Sequence, residues 1–344
     1  MAALPPYASV GETVWWYTFR VICALIFVFL IAPILVIIPL SFNAEDFFTF
    51  TPEMLAFDAE GYSFKHYRDF FGTKEDVPGW PWLGTVIGLV LGGGAGWLLG
   101  ARGVWLGLIL LAGLMLGVAI GYLAALDGPW MVAFKNSLLI APMATLLSVS
   151  LGTLAAIGLS QSHIPFRGAI MAILISPMIV PLILTATAMY FFYSEPFGVS
   201  DLSIQGTYWS VVLAHAALGV PFVIITVTAT MVGFDRSLTR AAASLGANPV
   251  RTFFKVQMPL IVPGVISGGL FAFITSFDEV VVVLFMGSAD QRTLPWQMFT
   301  GLREQISPTI LAAATILVAI SIALLTTVEM LRRRSERLRG MSPG

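Results

Sequence analysis

The chain has 344 residues, 58% of them hydrophobic and 11% charged, with a mean hydropathy of +0.89. A soluble domain of this length carries more surface charge, and outside positions 41–80 or so no polar stretch is long enough to build one. A net charge of −1 argues against a nucleic-acid binder, and the single cysteine, Cys23, has neither a disulfide partner nor a metal-ligand companion.

Apolar segments long enough to cross a bilayer recur along the sequence. Eight spans are predicted, at 17–40, 82–100, 104–125, 136–160, 168–193, 207–232, 261–286 and 309–331. The first apolar run, Tyr17 to Leu40, is too long for the core of a signal peptide. Little positive charge precedes it and no small-residue cleavage site follows, so it reads as a retained helix. The loop at 41–80, with its aromatic and charged run GYSFKHYRDFF, reads as an ordered outer segment.

Spans two and three look like an inserted hairpin. Gly84, Gly88, Gly92, Gly96 and Gly100 recur every four residues, and Gly113, Gly117 and Gly121 repeat the pattern. Such a stripe lets another helix approach closely, although glycine is also simply frequent in membrane helices. The hairpin has one charge, Arg102, and no expected transport chemistry. The predicted organisation is residues 1–81 (first span and outer loop), 82–126 (hairpin), 127–335 (core) and 336–344 (basic tail).

Lys and Arg set the orientation. With the N-terminus in the cytoplasm, twelve of the 18 basic residues fall inside, including the C-terminal RRRSERLR cluster. The outer loop instead collects acids: Glu45, Asp46, Glu53, Asp58, Glu60, Asp69, Glu75 and Asp76. An even number of spans with both termini inside fits this distribution.

The segment between spans six and seven, 233–260, reads as helix, stop, helix. Asp235 or Ser237 can cap its start. Leu238 to Leu245 is a short Ala-rich helix, Gly246 suits a left-handed stop, and Pro249 prevents simple continuation. Val250 to Met258 follows as a second amphipathic stretch, with Pro259 and Pro263 marking entry to span seven. Small Ala side chains suit insertion into a groove on another protein.

This loop resembles that of ABC importer permeases, whose motif is Glu-Ala-Ala, three residues, Gly, nine residues, Ile-x-Leu-Pro. The matching residues are Arg240, Ala241, Ala242, Gly246, Val256, Met258 and Pro259. Spacing is kept, but Arg240 replaces the Glu. The resemblance implies a coupling helix that docks on an ATPase. Farther on, Ser276, Phe277, Asp278, Glu279, Thr293, Leu294, Pro295, Ser307 and Pro308 are similar to the pattern of spermidine/putrescine permeases. The resemblance covers span one and approximately 130–335; the glycine-rich hairpin has no counterpart in the usual six-span core.

The resemblance implies an all-α polytopic membrane protein: a type I ABC importer permease core of six helices plus the hairpin. It also implies an ABC ATPase dimer that binds ATP and magnesium, a second homologous permease and an extracytoplasmic substrate-binding protein. Importers of an iron complex, thiamine or an opine share the core and remain open, as does an ATPase-independent secondary transporter.

Asp278 and Glu279 are the only acids well inside a predicted span. Charge in lipid is costly, so such residues face a bundle interior or water. Either at least one lines the substrate path, with Ser276 and Trp296 nearby in sequence, or the pair is a polar anchor. Tyr190, Phe191, Phe192 and Tyr193 read as an interfacial aromatic belt rather than a cation–π site. No G-x-x-x-x-G-K-[ST] run is present, so ATP must be held by another chain. His66, His163 and His215 are isolated and lack metal-ligand spacing, and no catalytic constellation stands out.

Overall fold

The computed structural model describes residues 9–72, 126, 128–160, 164–195, 203–232, 234–235, 237–304 and 307–338. The predicted hairpin spans at 82–100 and 104–125 lie outside the described residues, as does the tail beyond 338. The described chain is helical, with a single isolated β-bridge between Asn43 and Tyr62. It divides into two compact units: residues 1–70 with 306–330, and residues 71–305 with 331–344.

In the first unit, helix α1 (Val10–Leu40) starts at a capping box. Ser9 Oγ accepts from the Glu12 N–H, and Glu12 Oε2 accepts from the Ser9 N–H at 2.8 Å. Its 31 residues extend about 46 Å, more than a hydrocarbon core requires. Only Leu40 is buried by the rest of the chain, which leaves an apolar surface suited to lipid.

Residues 41–71 then fold tightly around Asn43. Its amide donates to the Phe47 and Thr49 carbonyls at 3.0 Å, and its Oδ1 accepts from the Glu45 N–H. Helix α2 (Pro52–Leu55) is capped by Thr51, and Tyr62 Oη donates to the Met54 carbonyl at its end. Gly61 is required here, because a Cβ would stand 2.7 Å from the Met54 nitrogen. Helix α3 (Lys65–Phe71) buries His66 and Phe70. Lys65 Nζ pairs with Asp46 at 2.7 Å, and that hydrogen bond holds the Asp46 carboxyl below its ordinary value.

The second unit is built on three long helices: α4 (Pro129–Leu159), α7 (Tyr208–Val232) and α10 (Met258–Phe277). They pack pairwise through small residues. A Cβ on Gly268 of α10 would sit 2.7 Å from the Val223 Cα of α7, so only glycine allows this approach. One apolar cluster gathers Ala156, Val223, Val227, Ile261 and Ala272. A second lies toward the other end of α7, around Ile140, Val211, Val212 and Met286.

Between α4 and α7 run α5 (Arg167–Ile179) and α6 (Leu182–Ser194), predicted from the sequence as one span over 168–193. The structure bends them by 104° at Val180–Pro181. The ring of Pro181 forces the preceding residue out of the helical region, and Val180 has ψ 136°. Each helix of 13 residues rises about 20 Å, too short to cross alone.

Span seven also departs from prediction, at both ends. The helix α9 (Pro249–Thr252) continues through a π-turn (Phe253–Gln257) into α10 without a break, making one rod over Pro249–Phe277. Met258 N–H bonds the Phe253 carbonyl five residues back. Pro259 has no N–H to give Lys255 and its ring crowds that carbonyl; the wider turn relieves the clash. At the far end α10 stops at Phe277, well before 286, and a short α11 (Val281–Met286) resumes after a break. Helix α12 (Leu294–Glu304) completes this unit, and α13 (Thr309–Leu338) begins at a Ser307 cap.

Among the described residues four helices are long and apolar enough to cross a membrane: α1, α4, α7 and the rod Pro249–Phe277. The bent pair α5–α6 makes a fifth if taken as one span, and the apolar part of α13, Thr309–Ala323, is shorter.

Candidate functional site

Two places concentrate the residues singled out by the sequence. They lie at opposite ends of the rod.

The first is the segment before it. Helix α8 (Ser237–Ser244) is only eight residues long, too short to persist unaided, and both its ends are fixed. Asp235 accepts from the Ser237 N–H at 2.8 Å and from the Ser237 hydroxyl at 2.6 Å. Those bonds, the side-chain one first, hold its carboxyl below the usual range. At the C-terminus Ala247 N–H bonds the Ala242 carbonyl and Gly246 N–H bonds that of Ala243. With Gly246 at φ +79°, this is a Schellman stop. Asn248 then caps α9, accepting from the Arg251 N–H at 2.8 Å, with Pro249 in the first turn where its missing N–H costs nothing.

The structure therefore sorts the seven predicted coupling residues. Arg240 and Ala241 are exposed on α8, Ala242 is half-buried beside them, and Gly246 ends the helix. Val256 and Met258 are half-buried on the rod, and Met258 packs on the bundle core, so they root the segment rather than present a surface. Pro259 sets the π-turn. Sequence reasoning missed the apolar side chains that the chain leaves uncovered: Leu238, Leu245, Val250 and Phe254, with Leu245 88% exposed. Leu238, Ala241 and Leu245 fall on one helix face, a spacing of three and seven that was readable.

The second place is the break between α10 and α11, where the structure separates residues that the sequence had grouped. Glu279 is 8% exposed, and its carboxylate accepts the Val282 N–H at 2.9 Å, capping α11. Ser276 is buried and hydrogen-bonds His215 Nδ1 at 2.8 Å across to α7. His215, isolated in sequence, thus has a partner, while its Nε2 is buried without one. Trp296 packs against the core, with the Arg292 guanidinium 5.6 Å from its ring centroid. Asp278 alone is exposed, and its carboxylate makes no hydrogen bond among the described residues. The two acids are not inside a continuous helix, as the sequence suggested; they occupy its interruption.

Around the same end, α4 is tied down by polar contacts. Asn136 donates to the carbonyls of Asp290 and Arg292 at 2.8 Å and accepts from Tyr208 Oη, while Ser137 Oγ accepts from the Leu294 N–H. In an apolar surrounding each such group needs its partner. Thr293 Oγ1, Trp296 Nε1 and Gln297 Oε1, clustered in sequence at the start of α12, are buried without one. Gln297 was not singled out from the sequence.

Comparison with known proteins follows this geometry. The sequence profile of the family described as "Binding-protein-dependent transport system inner membrane component" matches residues 148–337, from within α4 to the end of α13. The spermidine/putrescine transport system permease protein PotC of Haemophilus influenzae is 32% identical over 200 residues, 58% of this chain and 76% of that protein. The putrescine transport system permease protein PotI of Escherichia coli K12 is 32% identical over 196 residues, 56% of this chain and 68% of that protein. A solved bacterial ABC transporter involved in import of the acidic polysaccharide alginate superposes with a TM-score of 0.59 at 14% identity. That match covers 95% of this chain and 99% of that chain, and it supports the fold. These relatives are transport permease subunits of bacterial inner membranes, a family that works with ATPase and substrate-binding partners, and the chain belongs to it as a binding-protein-dependent transport system inner membrane component.

Proposed function

We propose that this chain is the permease subunit of an ATP-driven importer of polyamines of the spermidine or putrescine class. The uncovered face of α8, held rigid by Asp235 and Gly246, carries the reading: a short, capped, apolar-faced helix in the loop before a spanning rod suits docking into a groove. The partner would be an ABC ATPase dimer, which holds ATP and magnesium; this chain carries no G-x-x-x-x-G-K-[ST] run. A second homologous permease completes the path, and an extracytoplasmic binding protein delivers the solute. Both termini lie on the cytoplasmic side, consistent with the distribution of Lys and Arg. The predicted division into first span, inserted hairpin, core and basic tail belongs to the same reading.

The polyamine assignment rests on the named relatives and on Asp278. An exposed carboxylate without an internal partner, at a helix break, suits a partly dehydrated ammonium group. Binding and hydrolysis of ATP would then shift the bundle between inward- and outward-facing states by stabilising one over the other.

The test uses the reconstituted transporter with Cys23→Ser and Ala241→Cys. A crosslink from position 241 to the ATPase, together with ATP-dependent spermidine uptake, is expected. Uptake without any ATPase, or crosslinks confined to the extracytoplasmic protein, would overturn the class. ATP-dependent uptake of another solute with no polyamine uptake would overturn the substrate alone.

A further inference from the structure

A cavity of about 260 Å³ opens where the end of α7, the start of α5, α8 and the π-turn converge. It is several times the roughly 30 Å³ that a water occupies in the liquid. Its character is set by Arg167, Thr228, Thr239 and Gln257, against an apolar side from Met231 and Phe234. Among the described residues that line it, Arg167 is the one charged residue and none is an acid. Neither the Arg167 guanidinium nor the Gln257 amide is hydrogen-bonded among the described residues, and Thr228 Oγ1 is buried with no partner. The neighbouring Asp235 carboxylate has both oxygens engaged by Ser237. Helix α5 begins here without a side-chain cap, so its first-turn N–H groups add to the same sign of field.

We propose that this cavity is a binding site for a phosphate group, either the head of an anionic lipid or a free phosphate. A guanidinium, an unsatisfied hydroxyl and an amide converging on one polar space supply donors and charge of the kind a tetrahedral oxyanion takes up. An occupant would touch α5, α7, α8 and the π-turn at once. It would therefore fasten the α8 segment to the bundle and bias how far that segment moves. The site is separate from Asp278 and requires no particular transported solute.

The experiment measures binding rather than transport, so its failure leaves the importer reading untouched. The full transporter is placed in nanodiscs of phosphatidylcholine alone or with a quarter phosphatidylglycerol. Lipid retained by the permease is counted by native mass spectrometry. In the phosphatidylcholine discs the thermal midpoint is followed against inorganic phosphate. Retention of phosphatidylglycerol, or a phosphate-dependent rise in midpoint, is expected for the wild type. Arg167→Gln should weaken it about tenfold, the scale of one charge-assisted hydrogen bond. Met231→Trp keeps the charge but fills the cavity, and should do the same; it carries the test if Arg167→Gln does not assemble. Arg303→Gln, at a basic residue on α12 that is not part of the cavity lining, should leave binding unchanged. Lipid retention without a phosphate effect assigns the site to a headgroup, and the converse assigns it to a free phosphate. Equal binding by wild type, Arg167→Gln and Met231→Trp, or no binding by any, overturns the proposal.

Discussion

Glu279 and Asp278 are neighbours with unlike surroundings, and the difference predicts unlike mutants. The Glu279 carboxylate is buried against the first turn of α11 and accepts a backbone N–H. Glu279→Gln keeps an acceptor oxygen there and should assemble and transport nearly as the wild type. Glu279→Ala removes the cap, at about 1 kcal/mol, and leaves the Val282 N–H unsatisfied inside the protein, so the thermal midpoint of the complex should fall. Asp278 has no such internal duty. Asp278→Asn should leave the midpoint unchanged and lower spermidine uptake about tenfold, the loss expected for one charge-assisted contact. Uptake and thermal unfolding measured on all three variants separate the roles; a stable Glu279→Ala protein with lost uptake would reverse the assignment. From sequence the two acids were one feature, because a continuous helix was assumed. What distinguishes them is the end of α10 at Phe277, and no proline or glycine at 278–280 announces it.

Elements were legible where periodicity alone decides them and obscure where geometry interrupts them. Helices α4 and α7 lie over their predicted spans because a long apolar run in this composition has few alternatives. Gly246 and Pro249 declared the stop and restart around α8 through residue chemistry that acts within four or five positions, and the Asn248 cap emerged only in the structure. The bend at Val180–Pro181 carried its signal in Pro181, but a proline is also tolerated inside membrane helices, as Pro142 in α4 and Pro221 in α7 show. Pro259 illustrates the same ambiguity: it reads as the start of a span, yet the helix runs through it by widening to a π-turn. Replacing it tests that account. Pro259→Ala restores the missing N–H and removes the ring, so Phe253–Gln257 should tighten to ordinary α-helix. Closing the extra residue turns α8 and α9 by about 100° against α10. The complex should still assemble, while ATP consumed per spermidine imported rises. An unchanged ratio, with the π-turn retained in a structure of the variant, would show that it has another cause.

At the scale of the second unit, the two candidate sites are joined by one stiff element. The rod Pro249–Phe277 has 29 residues and rises about 43 Å, with α8 at its start and Asp278 at its end. Its middle is locked against α7 by Gly268, where no side chain fits, and its lower part by Ile261 and Met258 in the core. Such an arrangement leaves little slack between the proposed docking surface on α8 and the exposed carboxylate of Asp278. The sequence held both ends of this connection but not the connection itself, since the close packing that rigidifies it arises between residues of different helices, Gly268 and Val223 being 45 positions apart. If the rod transmits work, the two ends are not energetically independent. Leu245→Ala trims an exposed side chain with no duty in the fold and should lower the ATPase rate elicited by the loaded binding protein. Asp278→Asn should lower it from the other end. For sites this far apart without a shared element the two losses would add in free energy. Joined by the rod, the double variant should fall short of that sum by about 0.5–2 kcal/mol, the range found for coupled distant sites. The measurement is the stimulated ATPase rate of wild type, both single variants and the double at saturating binding protein; additive losses would mean that α8 and Asp278 act on the cycle separately.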